Sequence, residues 1–236
     1  MSKHIPRIYC NNRDYINNNS ELILPNRCNN HLINVFRMKI NDELIIYNKE
    51  YGEWLCSIIE INKNKITVKC NKLLRKYVDS ISASLAFCII KYDNIKLIIE
   101  KCTELGIRDF YPLISDYTQY NKFNIEKLNI IAIQASEQSE RLDIPTIHNT
   151  CNIDEFINNL PSNIIWYSAI ERTSNVNNIL VNNNIGFIVG PEGGFSGREK
   201  QLLISKTEQI NLSKNVLRSE TACISCASLF NYLLLF

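Results

Sequence analysis

The 236-residue chain is poor in several residue types that would mark a function by themselves. It has three histidines, and none lies near its C-x-x-C pair, Cys223 and Cys226. With no second ligand pair the two thiols read as small buried hydrophobes, and no metal is expected. No apolar run approaches the roughly 20 residues of a membrane-spanning helix. The opening residues lack the apolar centre of a secretory leader, so a cytoplasmic location is expected and no membrane partner. Nine cysteines, an odd number without pairing rhythm, argue against a disulfide framework and for a reducing compartment. The glycine-rich stretch near the C-terminus is not followed by G-K-[ST], which argues against a phosphate-binding loop. No internal repeat is evident.

What is present divides the chain in two. Residues 1–78 carry a net charge of +6 and residues 79–236 a net of −4, within a total of +2. A basic N-terminal third suits a polyanionic partner. Its apolar runs are short and partly alternating: Arg7–Cys10, Glu21–Leu24, Glu43–Tyr47, Trp54–Ile61 and Lys65–Cys70, with one helical pattern over Asn30–Met38. Several short strands and one helix predict a small barrel over 1–72. From about residue 73 the pattern changes to alternating strands and helices: Ala83–Ile90, Asn94–Leu105, Ile107–Ile114, Ile125–Glu140, Asn163–Tyr167 and Ser174–Asn182. That alternation predicts an α/β domain with a parallel sheet over 73–236.

The densest signal lies in residues 186–222. Ile185–Val189 is a short, branched apolar run, as expected of a strand buried on both faces. It breaks at Gly190-Pro191-Glu192-Gly193-Gly194, and Ser196 with Glu199 then gives the S-x-x-E pattern of a helix start. A second strand-like run, Gln209–Leu212, ends in another loop before a helix beginning near Ser219. In a parallel sheet both loops open at the same edge, where ligands bind.

Gly190–Ser196 with Glu199, followed by Val216-Leu217-Arg218-Ser219-Glu220-Thr221-Ala222, resembles the end of a SPOUT-class RNA methyltransferase, specifically the ribosomal RNA small subunit methyltransferase E family. Lys101-Cys102-Thr103-Glu104-Leu105-Gly106 is similar to that family's K-x-T-E-L-G. Residues 135–145, with Glu137, Gln138, Arg141 and Pro145, resemble its A-x-E-Q-x-x-R-x-x-P. The N-terminal third is similar to its PUA-like RNA-binding domain. Two arginines of the family pattern are replaced, by Tyr117 and by Asn215.

The resemblance implies transfer of a methyl group from S-adenosyl-L-methionine to N3 of a uridine in 16S rRNA of the small ribosomal subunit. It also implies a trefoil knot in the C-terminal domain and a homodimer. The cofactor set is Gly190, Glu192, Gly193, Gly194, Leu212, Ser213, Val216, Leu217, Thr221 and Ala222. Arg218 is the candidate to hold the uracil oxygens as the N3 proton leaves, and Glu220 to accept a proton or orient Arg218. Arg7, His31, Arg37 and Arg141 are expected to face RNA. Two alternatives stay open: a related methyltransferase acting on tRNA, and a non-catalytic RNA-binding protein of the same fold.

Overall fold

The computed structural model describes residues 5–11, 16–62, 65–120, 124–171, 179 and 184–234. They form two compact units, Met1–Asp79 with Ser136–Ile144, and Ser80–Ala135 with Pro145–Phe236.

The first unit is a five-stranded sheet in the order β1-β3-β4-β5-β2. Its strands are β1 (Arg7–Tyr9), β2 (Glu21–Ile23), β3 (Glu43–Asn48), β4 (Gly52–Asn62) and β5 (Lys65–Arg75). All pairings are antiparallel except β1 with β3. One face buries Leu22, Leu44, Ile46, Ile58, Ile66 and Val68. β5 runs past residue 72 to Arg75, and three register shifts in its pairing with β4 blur the alternation that a strand shows in sequence.

The helical pattern of this unit begins earlier than expected. Helix α1 (Asn26–Asn30) starts directly after Pro25, and His31–Val35 continues it as a wider, π-type turn. Arg37, in the left-handed region at φ 53°, ends it, and the Met38 N–H returns to the Leu32 carbonyl at 3.0 Å.

The second unit is a seven-stranded parallel sheet. Along the chain come β6 (Ala83–Cys88), α2 (Tyr92–Glu104), β7 (Ile107–Ile114), α3 (Ile125–Gln138), whose last residues fall in the first unit, β8 (Thr146–Ile147), β9 (Cys151–Asn152) and α4 (Ile153–Asn158). They are followed by β10 (Ile164–Ala169), β11 (Asn184–Val189), α5 (Gly197–Lys206), β12 (Glu208–Ile210) and α6 (Ser219–Leu233). The helical pattern over 174–182 lies outside the described residues apart from Ile179.

The strand order is β12-β10-β11-β6-β7-β8, with β9 also paired to β7. Every residue of β6 is buried, as in a central strand covered on both faces. α6 packs on α2 and against β6 and β11. Trp166, Phe156, Ile188 and Leu203 form the core between the sheet and α4 with α5. Cys223 and Cys226 are fully buried, and burial pushes both thiols up, so neither is reactive at neutral pH. No helix among the described residues is long and apolar enough to cross a membrane.

Candidate active site

Because β10, β11 and β12 are parallel neighbours, the loops after them open together. Between them lies a cleft of about 230 Å³, walled by residues 169–171, 189–195, 210–213 and 215–217, with Ser219 and Ala222 of α6 at its back. All of the expected cofactor residues line it except Thr221. Pro191 and Asn211 also line it.

The wall after β11 is a tight turn. The Gly194 N–H donates to the Pro191 carbonyl at 2.9 Å, and Gly194 has φ +71°, which a side chain would strain. Gly193 is short of room instead: a Cβ there would stand 3.2 Å from Cβ of Tyr117. The turn then enters α5 through a complete capping box. The Ser196 side chain accepts the Glu199 N–H, and the Glu199 carboxylate accepts the Ser196 N–H at 2.8 Å.

Glu199 does more than cap. It is fully buried, and its other oxygen accepts the Asp116 N–H at 2.8 Å, fastening the loop after β7 to the start of α5. Asp116 adds to the join. It accepts hydrogen bonds from the Ser196 hydroxyl at 2.6 Å and from Arg198 at 3.0 Å, and these hold its carboxyl below the usual range. A second stitch crosses the cleft, where the Ser219 hydroxyl donates to the Gly190 carbonyl at 2.7 Å. It ties the first residue of α6 to the end of β11.

Arg218 and Glu220 flank Ser219 and point to different environments. Arg218 is the residue on which α6 starts; it is exposed and has no ion pair among the described residues. Glu220 is 8 % exposed in the first helical turn, and its Oε2 is buried without a hydrogen-bond partner. Residues two apart on a helix do not face each other. Glu220 therefore does not orient Arg218 by a direct ion pair, and its free oxygen is directed into the protein.

The four residues expected to face RNA fall into two groups, all in the first unit. His31 and Arg37 are exposed, and the His31 ring meets Phe36 edge-on at 4.8 Å. Arg7 is a correction. It is 9 % exposed, pairs with the buried Glu53 and reaches the Arg141 carbonyl at 3.3 Å. Arg141 in turn is a mostly buried partner of Asp143, at 2.9 Å. A charged residue type predicts a surface group, whereas each of these two is held by an acid inside the unit.

Residues that the sequence reading missed lie where strand order matters. Ala169–Glu171 reach the cleft only because β10 inserts between β11 and β12, which no local pattern announces. Tyr117, noted only as a missing arginine, stands against Gly193.

Comparison with known proteins places the chain in a family. A family model described as an RNA methyltransferase domain matches residues 79–231, and one described as an RNA methyltransferase PUA domain matches residues 30–69. The ribosomal RNA small subunit methyltransferase E of Rickettsia conorii is 37% identical over 226 residues, 93% of this chain and 92% of its own. That of Buchnera aphidicola from Acyrthosiphon pisum is 30% identical over 234 residues, 94% of this chain and 91% of its own. A Legionella pneumophila structure described as a methyltransferase in complex with the cofactor SAM superposes with a TM-score of 0.84 at 25% identity, covering 98% of both chains. The Neisseria gonorrhoeae ribosomal RNA small subunit methyltransferase E bound to S-adenosyl methionine gives 0.85 at 22%, again over 98% of each chain, which speaks for the fold. With a methyltransferase-domain match over most of its length and a relative this similar from end to end, the chain belongs to the ribosomal RNA small subunit methyltransferase E family.

Proposed function

We propose that the protein methylates N3 of a uridine in 16S rRNA of the small ribosomal subunit, using S-adenosyl-L-methionine bound in the cleft after β10, β11 and β12. The observation that carries the reading is the cleft itself. It joins a glycine turn, tight for any side chain at Gly193, to the start of α6 at Ser219 and Ala222. The walls at 190–194, with three glycines, and at 212, 213 and 215–217 suit the edges of an adenosine. When bound, the cofactor supplies a methyl group on a positively charged sulfur.

The chain's own residues supply position and charge. The two loops fix the donor against one wall, so that a base entering from solvent meets it in line. Arg218, exposed beside the cleft, holds the uracil carbonyl oxygens with its planar fork as negative charge spreads onto them. Glu220, directed into the protein, supports the first turn of α6. In the first unit, His31 and Arg37 meet RNA, while Arg7 and Arg141 hold the unit together. By family resemblance residues 73–236 form a trefoil knot, the enzyme works as a cytoplasmic homodimer, and no metal takes part.

The test is transfer of a labelled methyl group to small subunits from cells lacking the enzyme, with the modified nucleotide mapped. Label at uridine N3 in 16S rRNA supports the proposal. Label in tRNA, or none in any RNA, rejects it.

A further inference from the structure

The loop after β7 holds an aromatic side chain that neither the fold nor the cofactor cleft requires. Tyr117 is 52 % exposed, and among the described residues its side chain makes no hydrogen bond and no ring contact. Its backbone, by contrast, is fixed on both sides. The Ser115 N–H donates to Thr118 Oγ1 at 2.9 Å, and the Thr118 N–H to the Ser115 carbonyl at 3.0 Å. Asp116 is fastened to Ser196, Arg198 and Glu199 at the start of α5.

The ring is also placed. Its Cβ and first ring carbons lie 3.2–3.6 Å from where a Cβ of Gly193 would be, so it rests on the glycine turn that walls the cleft. A large ring left half in water on a rigid loop gains little for stability. It does offer a flat face beside the glycine turn that walls the site.

We propose that Tyr117 is the base-stacking residue of this enzyme: it holds the target uracil by its face while the N3 edge points toward the methyl donor. The inference rests on the methyl-transfer reading of the cleft. It follows from what the reaction leaves free. Methylation at N3 needs the base unpaired, with its Watson–Crick edge turned to the donor and to Arg218, so any further grip must come from another part of the base. The ring face remains, and aromatic side chains take unstacked bases by that face. Where the family pattern has arginine this chain has tyrosine; both present a plane that stacks on bases, and tyrosine does so without charge.

The test uses the purified full chain with Tyr117→Ala, Tyr117→Phe and Tyr117→Trp. For Tyr117→Ala, kcat/KM for unmodified small subunits should fall about 5–150-fold, the scale of one lost base–aromatic stack, mostly through KM. Its melting temperature and its calorimetric affinity for S-adenosylmethionine should match wild type. The Phe and Trp variants should keep most of the wild-type kcat/KM. A 16S transcript substituted with 5-bromouridine should photocrosslink to the peptide carrying Tyr117, and not in the alanine variant.

Unchanged kcat/KM in Tyr117→Ala overturns the proposal. So does cofactor affinity that falls in step with activity, since Tyr117 would then only prop the glycine turn. A crosslink confined to other peptides also overturns it. If wild type incorporates no methyl, the methyl-transfer reading fails by itself. The crosslink, which needs no turnover, still decides for or against Tyr117.

Discussion

Arg218 and Arg7 carry the same charge and occupy opposite environments. Arg218 stands in solvent beside the cleft with no acid holding it among the described residues, so its five donors are available to a ligand. Arg218→Ala should lower turnover by about 10²–10³-fold with little change in cofactor affinity, and Arg218→Lys should recover only part of it, because a point charge cannot copy the planar fork. Single-turnover methylation alongside calorimetry checks this; loss of cofactor binding together with activity would mean that Arg218 supports the helix instead. Arg7 is enclosed with Glu53, and burial lowers the pKa of its guanidinium despite the stacked Tyr47 ring 4.8 Å away. Arg7→Ala should therefore leave RNA affinity per folded molecule intact and cost stability. About 3 kcal/mol is expected, near the low end for a broken buried pair because Arg75 still reaches Glu53. Thermal melting of the first unit's signal would show it.

At the scale of elements, the glycine turn and the strut beneath it act together. Gly193→Val would drive two methyl groups toward Tyr117, whose Cβ is already within 3.2 Å of the position of the first added carbon. Cofactor affinity should fall strongly while the circular dichroism spectrum stays unchanged; wild-type affinity in that variant would remove the turn from the site. The reason is crowding, since among residues 190–194 only Gly194 has positive φ. The elements themselves were legible in the sequence where local physics decides them. β6 and β11 read as mostly apolar runs, interrupted only by Ser84 and by Asn184 at the start of β11, because both faces are covered, and the S-x-x-E start of α5 is met in full by Ser196 and Glu199. What escaped was either too short for a period to appear, as in the two-residue strands β8 and β9, or settled by distant partners. Arg7 finds Glu53 across 46 positions, and Glu199 finds Asp116 across 83. No window of sequence contains such pairs. The π-type turn after α1 is a further case, since its extra residue per turn breaks the spacing that marks a helix face.

For the molecule as a whole, charge is divided along the chain, and the basic residues 1–78 are expected to carry the RNA. Affinity for RNA should fall linearly with salt on logarithmic axes. Arg37→Ala should reduce the slope by about one phosphate's share, roughly 0.7–0.9, whereas Arg7→Ala should leave it unchanged. Equal effects from both, or none from Arg37, would move the contact surface elsewhere. Light scattering should give twice the 27.3 kDa chain mass if the enzyme is a homodimer, and a single chain mass would reject that assignment.

The bond from the Ser219 hydroxyl to the Gly190 carbonyl makes the cleft depend on the helix that follows it. Every wall of the cleft comes from residues 169–222, and the stitch that closes it waits for a helix ending at Leu233. A chain without α6 lacks that tie and the two walls at Ser219 and Ala222, so its cleft should not hold the small-molecule ligand, which calorimetry on a chain stopped at Arg218 would show. A chain stopped short of α6 would carry the basic unit without the chemistry, able to occupy RNA and unable to mark it.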